Sequence, residues 1–424
     1  MGAFAIGDAA KRECGFATDK AHPCSKLAAS AHRRRIGAVS FLLREPPPMV
    51  SPIPLFPPAP SISFTEDDKL KRAVATARDE LKDARRGTIP AFRLAIIDLA
   101  GNPLKWGAHE PDTMDFIASE AKIIALYGAF ALRDLVRRFA AAMKVRTLVV
   151  GVGTAVGAAV GIVKPSAKPA KPVSLFDALR AEIDPAILAI AHPLLGSTKR
   201  SERLPIYERM FVAPTGGVPD FTGQYKNWLR AMIVPSSNTG AMECIHGIGY
   251  AYLNGAMKEA LLFKEGIGPW LAGDFIGKYT YARIDSQNDQ AVAQAGTALS
   301  IAKLMAIIVR HGVVLGADAF THMENLLHDA VSGPDTPFLT RNPPDFTDNA
   351  LRIPRDKITH IKLGLADLKA KNGGQSVGSE VWRLEGLFRA DKVYALSYQN
   401  LDWTKTSSED VAYMIRRSIQ IYET

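Results

Sequence analysis

Ser119 and Lys122 are the two residues whose types and spacing could perform nucleophilic catalysis. A serine hydroxyl is a weak nucleophile, so it needs an adjacent base. Helical residues three positions apart share one face, which brings their side chains within reach of each other. A lysine in apolar surroundings loses its proton more easily and can act as that base. The pair therefore predicts an attack by Ser119 that is assisted by Lys122.

A buried helix has to position this pair. The residues after Lys122 are good helix formers, and apolar residues recur at the helical period through positions 123–131. This pattern predicts a buried helix that begins at Ser119. Because Ser-x-x-Lys is a short motif, chance matches are common. The chain contains a second copy, Ser300-Ile-Ala-Lys303.

Two further motifs follow Ser119 in the chain, at Ser236-Ser-Asn238 and Lys362-Leu-Gly364. The order Ser-x-x-Lys, Ser-x-Asn, Lys-x-Gly resembles the signature of the penicillin-recognising serine enzymes, which include class A β-lactamases and D-alanyl-D-alanine peptidases. In that family the first motif opens a buried helix, the second lies on a loop of an all-helical part, and the third lies on an edge strand. The resemblance covers residues 65–424 apart from an insertion near 143–222.

This resemblance implies a serine hydrolase that forms an acyl-enzyme with an amide, peptide or ester. Ser119 would attack the carbonyl carbon, and Lys122 would accept its proton. Ser236 would relay a proton to the leaving group. Asn238 would hold the side-chain amide of the substrate.

The third motif would bind the substrate through Lys362, Gly364 and Leu365. Lys362 would supply positive charge for a substrate carboxylate and would tune Ser236. The backbone N–H groups of Ser119 and Leu365 would form the oxyanion hole, which usually contributes most to acyl transfer. No metal or other cofactor is implied.

The sequence also departs from the family pattern. Leu363 stands where the family has a hydroxyl, which removes one hydrogen bond to a carboxylate. Segment 274–297 contains no glutamate to activate a deacylating water; its acidic residues are Asp274, Asp285 and Asp289. We therefore do not expect rapid β-lactam turnover. A glutaminase-type amidase and a catalytically silent binding protein of the same fold stay open as alternatives.

The resemblance implies an α+β fold in which an antiparallel five-stranded sheet, flanked by the N- and C-terminal helices, adjoins an all-helical lobe. We assign the α/β part to 61–115 and 350–424, and the lobe to 116–349. Local patterns agree with this division and predict a helix at 65–86 capped by Thr65, a helical stretch at 239–262, a closing helix at 408–422, and strands at 92–100, 104–109, 357–365, 378–386 and 392–400. Residues 1–60, which are basic and rich in proline, are expected to form a disordered tail.

The uncharged, glycine-rich run 147–163 has three interpretations. It is just short of a comfortable transmembrane span. Gly151-x-Gly153 could begin a dinucleotide-binding loop, although the acidic residue that such a loop needs is missing downstream. We prefer a buried or interface segment within the insertion.

Composition narrows the partners. The net charge is +9, but the basic residues do not form a stripe interleaved with aromatic residues, so nucleic-acid binding is not indicated. Three cysteines provide neither a disulfide framework nor zinc-site spacing. We expect a small-molecule or peptide substrate and no stable membrane contact, and the oligomeric state is left open. The resemblance implies a periplasmic or secreted protein, although residues 36–43 make a poor signal peptide.

Overall fold

The described part of the chain begins and ends with helices and strands of one sheet and is mostly helical between them. The computed structural model describes residues 53–89, 91–159, 173–190, 204–213, 217–276, 280, 282–333, 339, 353–368, 376–402 and 405–424. Its strands, numbered in chain order, are β1 (Phe64–Glu66), β2 (Arg93–Asp98), β3 (Leu104–His109), β4 (Asp115–Phe116), β5 (Phe211–Val212), β6 (Asp220–Phe221), β7 (Trp270–Leu271), β8 (Gln294–Gly296), β9 (Ile358–Asp367), β10 (Ser376–Glu385) and β11 (Val393–Asp402). Its α-helices are α1 (Asp68–Ala84), α2 (Lys122–Ala159), α3 (Leu175–Glu182), α4 (Asp184–Ile190), α5 (Tyr207–Met210), α6 (Gly223–Ile233), α7 (Asn238–Ile248), α8 (Tyr250–Glu259), α9 (Ala298–Val309), α10 (Ala317–Val331) and α11 (Lys405–Glu423).

Strands from both ends of the described chain meet in one six-stranded sheet, in the order β1-β3-β2-β11-β10-β9. Neighbouring strands are antiparallel except for β1 and β3, which run parallel. The predicted α+β class is confirmed, whereas the predicted strand count of five is wrong. The additional strand is β1, whose three residues are too short to show an alternating pattern.

Helices cover this sheet. The apolar helix α9 packs against β2, β10 and β11, while α1 and α11 pack against each other and against β3 and β11. All six residues of β2 are buried as a result. The apolar run Leu94–Ile97 fits such a central position, because a strand that is covered on both faces needs no polar alternation.

Helix α1 begins later than the sequence predicts. Its cap is Asp67, whose carboxylate accepts the Leu70 N–H at 2.9 Å. Thr65, which we expected to be the cap, lies in β1 instead. Both residue types cap helices well, and the pairing of β1 with β3 decides between them.

The predicted all-helical lobe contains the 38-residue helix α2, but the lobe also contains the short strands β5 to β8, so it is not entirely helical. Gly151 and Gly153 lie inside this helix, so the interpretation as a strand-to-helix dinucleotide loop is wrong.

The predicted helical stretch 239–262 is divided into α7 and α8 at Gly249, whose φ of 82° favours glycine. Within the described residues, no helix is both long enough and apolar enough to cross a membrane.

The folded unit starts before position 61. The ring of Phe56 is buried, and its centroid lies 5.0 Å from that of Tyr252. A Cβ atom at Gly255 would lie 2.5 Å from Phe56 Cζ, so the helix α8 depends on glycine to admit this ring. Residues 53–60, which the sequence assigns to the tail, therefore contribute to the core. Residues 1–52 lie outside the described part of the chain.

Candidate active site

A tight turn presents Ser119. The 3₁₀ turn Ala118–Ala121 connects β4 to α2, and Ala118 has a φ of +45°, a left-handed conformation that non-glycine residues seldom adopt. Residues three apart eclipse each other in a 3₁₀ turn, so Ser119 lies on the same face as Lys122, the first residue of α2. The predicted start of the α-helix at Ser119 is therefore three residues early, because Ser119 lies in the 3₁₀ turn and α2 begins at Lys122.

Lys122 is completely buried and points toward the second motif. Its Nζ donates to Ser236 O at 2.5 Å, to Asn238 Oδ1 at 2.8 Å and to Ser236 Oγ at 3.2 Å. The ring centroid of Phe275 lies 4.9 Å from the same nitrogen. The side chain is thus held by three acceptor atoms of Ser236 and Asn238 and by the face of an aromatic ring.

Lys362 approaches the same hydroxyl from the sheet. It lies on β9 and is 1% exposed, and its Nζ donates to Ser236 Oγ at 2.7 Å and to Leu363 O at 2.9 Å. A hydroxyl oxygen has two lone pairs, and the two lysines occupy both. The proton of Ser236 is therefore available for donation to a third group. Ser236 also has a left-handed φ of +52°, so the backbone that carries this hydroxyl is strained.

Gly364 lets the sheet approach the Ser119 turn. A Cβ atom at this position would lie 2.4 Å from Ile117 O, 2.6 Å from Glu120 N and 2.7 Å from Ser379 Oγ. Ser379 Oγ in turn donates to Ile117 O at 3.1 Å. The absence of a side chain at 364 thus sets the distance between β9 and the turn.

A cavity of about 330 Å³ opens beside these groups. Ser119, Asn238 and Leu365 contribute to its lining, so the sequence-predicted residues of three distant segments share one cavity. Much of the remaining lining comes from segment 274–294. Leu365 is 37% exposed and gives the third motif an apolar surface.

Segment 274–297 contributes both an aromatic ring and carboxylates to the site, because Phe275, Asp274 and Asp289 line the cavity. Asp274 also contacts side chains of α7 and α8: its Oδ1 accepts the Tyr250 hydroxyl at 2.7 Å and lies 2.9 Å from His246 Nε2. Phe275 comes next and faces Lys122. No sequence motif identifies Phe275, although an aromatic residue in a mostly polar loop is a usable signal for a covered site.

Glu120, between the serine and lysine of the first motif, was also missed. Burial raises the pKa of Glu120 to about 8, although hydrogen bonds from Ser397, at 2.8 Å, and Gln399, at 3.3 Å, lower it. The neighbouring Glu380 raises it further. The carboxyl group is thus largely protonated at neutral pH and ties the Ser119 turn to β11.

Glu120→Gln should remove a pH dependence of stability. The pKa is raised from 4.5 to about 8 in the folded protein, so the stabilising contribution of the protonated acid is complete below the lower value and is lost as the pH rises through the higher one. As the pH rises from about 5 to 8, the unfolding free energy of the wild type should fall by about 3 to 4 kcal/mol more than that of the variant. Urea unfolding at both pH values measures this difference. Equal pH dependence in the two proteins would contradict it.

The described ranges contain no group of three or more histidine, cysteine, aspartate and glutamate side chains that could hold a metal ion.

Comparison with known proteins gives a distant likeness. No family model matches the chain, and no curated protein matches its sequence. Similar solved structures include TLA-3 extended-spectrum β-lactamase, at 11% identity and a TM-score of 0.45 over 82% of this chain and 99% of that one. A class A β-lactamase from Bacteroides cellulosilyticus shows 10% identity and a TM-score of 0.44 over 84% and 98%. PBP-A shows 14% identity and a TM-score of 0.43 over 87% and 99%. At scores of this size, no activity or residue role is transferred to this chain.

Proposed function

We propose that this protein is a serine hydrolase that cleaves an amide, peptide or ester bond through an acyl-enzyme on Ser119. The observation that carries the proposal is the contact at Ser236 Oγ, which accepts from Lys122 Nζ at 3.2 Å and from Lys362 Nζ at 2.7 Å. Ser119 lies three residues before Lys122 in the 3₁₀ turn and lines the cavity that Asn238 also lines. These contacts support a scheme in which Ser119 is the nucleophile, Lys122 the base and Ser236 the proton relay.

Lys122 acts as the base in the acylation step. As a neutral amine, its Nζ keeps two N–H donors for Ser236 O and Asn238 Oδ1 and has one lone pair that can take the serine proton. As Ser119 Oγ bonds to the carbonyl carbon, its proton moves to Lys122 Nζ. The negative charge that develops on the carbonyl oxygen is stabilised by the backbone N–H groups of Ser119 and Leu365.

Ser236 completes acylation by protonating the leaving group. It donates its hydroxyl proton to the departing nitrogen or oxygen and recovers a proton from Lys122, 3.2 Å away. Lys362 keeps its charge and stabilises the transient alkoxide character of Ser236. Asn238 accepts from Lys122 through Oδ1, which leaves its amide N–H₂ group to bind a substrate carbonyl.

Hydrolysis of the acyl-enzyme is the slower step in this scheme. A water molecule needs a base, and segment 274–297 contains no glutamate for that role. Lys122 itself is then the base for deacylation. Steady and rapid turnover of a chromogenic cephalosporin would show that this account of the segment is wrong.

A fluorophosphonate probe tests the proposal. We expect one phosphonylated serine in the wild-type protein, mapped by mass spectrometry to the peptide that contains Ser119. Ser119→Ala should abolish the labelling. Ser300→Ala, in the second Ser-x-x-Lys motif, is the matched control and should keep it, because Ser300 Oγ is engaged in a helix cap.

Two results would contradict this function. Labelling that persists in Ser119→Ala would place the reactive group elsewhere. A wild-type protein that reacts with no serine-directed reagent would favour the catalytically silent binding protein.

A further inference from the structure

The second Ser-x-x-Lys motif lies at the start of α9, and its serine is a capping residue. Ser300 N donates to Thr297 Oγ1 at 3.0 Å, and Thr297 N donates to Ser300 Oγ at 3.2 Å. The Ser300 hydroxyl also donates to Thr297 O at 3.0 Å. These bonds form a capping box and occupy the hydroxyl. The motif therefore provides no second nucleophile, and the role of its lysine is a separate question.

Lys303 holds a positive charge between two aromatic rings. Its Nζ lies 5.3 Å from the ring centroid of Phe64 and 5.6 Å from that of Trp106. No hydrogen bond or ion pair joins this ammonium group to any residue in the described ranges. Burial lowers the pKa of Lys303, with Asp112 opposing the shift and Lys264 adding to it. Cation–π contacts compensate for part of the lost hydration but supply no negative charge.

A cavity of about 140 Å³ lies next to this ammonium group. Its lining includes Lys303 together with Trp106, Leu262 and Phe263, which form an apolar wall. The other two charged residues of the lining cancel each other, because Lys264 Nζ pairs with an Asp112 carboxylate oxygen at 3.3 Å. The charges of the lining therefore sum to +1, which Lys303 carries beside the apolar wall.

We propose that this cavity is a binding site for a small organic monocarboxylate with an apolar or aromatic body. The carboxylate pairs with Lys303, and the body packs against Trp106 and Phe263. A single cation matches a single negative charge, and Asp112 at the cavity disfavours a dianion such as phosphate. Apolar walls with a few placed polar groups are the usual features of small-molecule sites. The proposal is independent of the Ser119 chemistry, because the residues argued for catalysis do not line this cavity.

Benzoate is the probe for this site, and calorimetric titration of the full chain is the measurement. A ligand of this size with one ion pair should bind with a dissociation constant on the order of 1 mM. Lys303→Met should weaken binding by about 10-fold or more, whereas Lys303→Arg should keep most of it. Lys69→Met is the matched control, because Lys69 also lies near an aromatic ring, 5.7 Å from the Tyr422 centroid, but is exposed. This variant should bind as the wild type does.

Two measurements on the wild-type protein keep the test independent of variant folding. Benzamide, which has the same shape without the charge, should bind about 10-fold more weakly than benzoate or worse. Benzoate should also protect Lys303 from acetylation by acetic anhydride, read by mass spectrometry, while Lys69 stays unprotected. Equal binding of benzoate and benzamide, unchanged binding in Lys303→Met, or acetylation of Lys303 at the same rate with benzoate would each overturn the proposal.

Discussion

Lys122→Met is expected to slow the fluorophosphonate reaction of Ser119 by about 10³-fold, the range of a lost general base. Methionine keeps an unbranched side chain in a completely buried position but cannot accept the serine proton. The measurement is the pseudo-first-order rate constant of labelling, followed by intact-protein mass spectrometry. Thermal unfolding of the same samples shows that the variant is folded.

The second motif supplies the control for this result. Like Lys122, Lys303 lies three residues after a serine and next to aromatic rings, but Lys303 lines a different cavity. The control variant is Lys303→Met. We expect it to label at the wild-type rate. If Lys122→Met reacted as fast as this control, Lys122 would be a structural residue and the base would have to be sought elsewhere.

Gly364→Ala is expected to have the second large effect, because it forces the sheet away from the Ser119 turn. Its Cβ atom would overlap backbone atoms at 2.4 Å from Ile117 O and 2.6 Å from Glu120 N, and backbone cannot rotate aside as a side chain can. Overpacking of this kind typically costs about 1 to 3 kcal/mol of unfolding free energy. We also expect labelling of Ser119 to fall by about 10²-fold, since a shift of 1 Å can cost that much. Urea unfolding and labelling rates measure the two effects.

A glycine on the neighbouring strand separates this clash from a general effect of alanine in the sheet. Gly378 pairs with Leu365 on β9, and the nearest atoms to a Cβ built there are 3.9 Å away. Gly378→Ala should therefore leave both stability and labelling close to those of the wild type. Equal losses in the two variants would mean that the close approach at 364 has no special role.

Sequence patterns are sufficient for the long elements of this fold and insufficient for the short ones. The strands β9, β10 and β11 have ten residues each, which is long enough for alternation and turn signals to show. The three-residue strand β1 has no such pattern, and its pairing with β3 is a tertiary choice. The position of Asp67 as the cap of α1 depends on that same choice.

The candidate site divides in the same way. Motif order and element type lead from the sequence to Ser119, Ser236 and Lys362, since each motif belongs to a recognisable helix start, loop or strand. Ser236 Oγ accepts hydrogen bonds from both lysines, and this depends on distances between segments that no local pattern encodes. The roles of Glu120 and Phe275 cannot be predicted from local sequence either, because each depends on contacts with residues that are distant in the chain.

The pairing of β2 with β11 has a consequence for how the protein acquires its site. Ile97 lies opposite Ala395, so this pairing closes a loop that spans most of the folded unit. Closing so large a loop delays folding, because the entropy of the intervening chain is lost before the contacts form. The helical segments between these strands contain local contacts and can form early, but Lys362 reaches Ser236 only when the sheet has closed. Reactivity at Ser119 should therefore return during refolding together with the last cooperative step, and not with the recovery of helical signal.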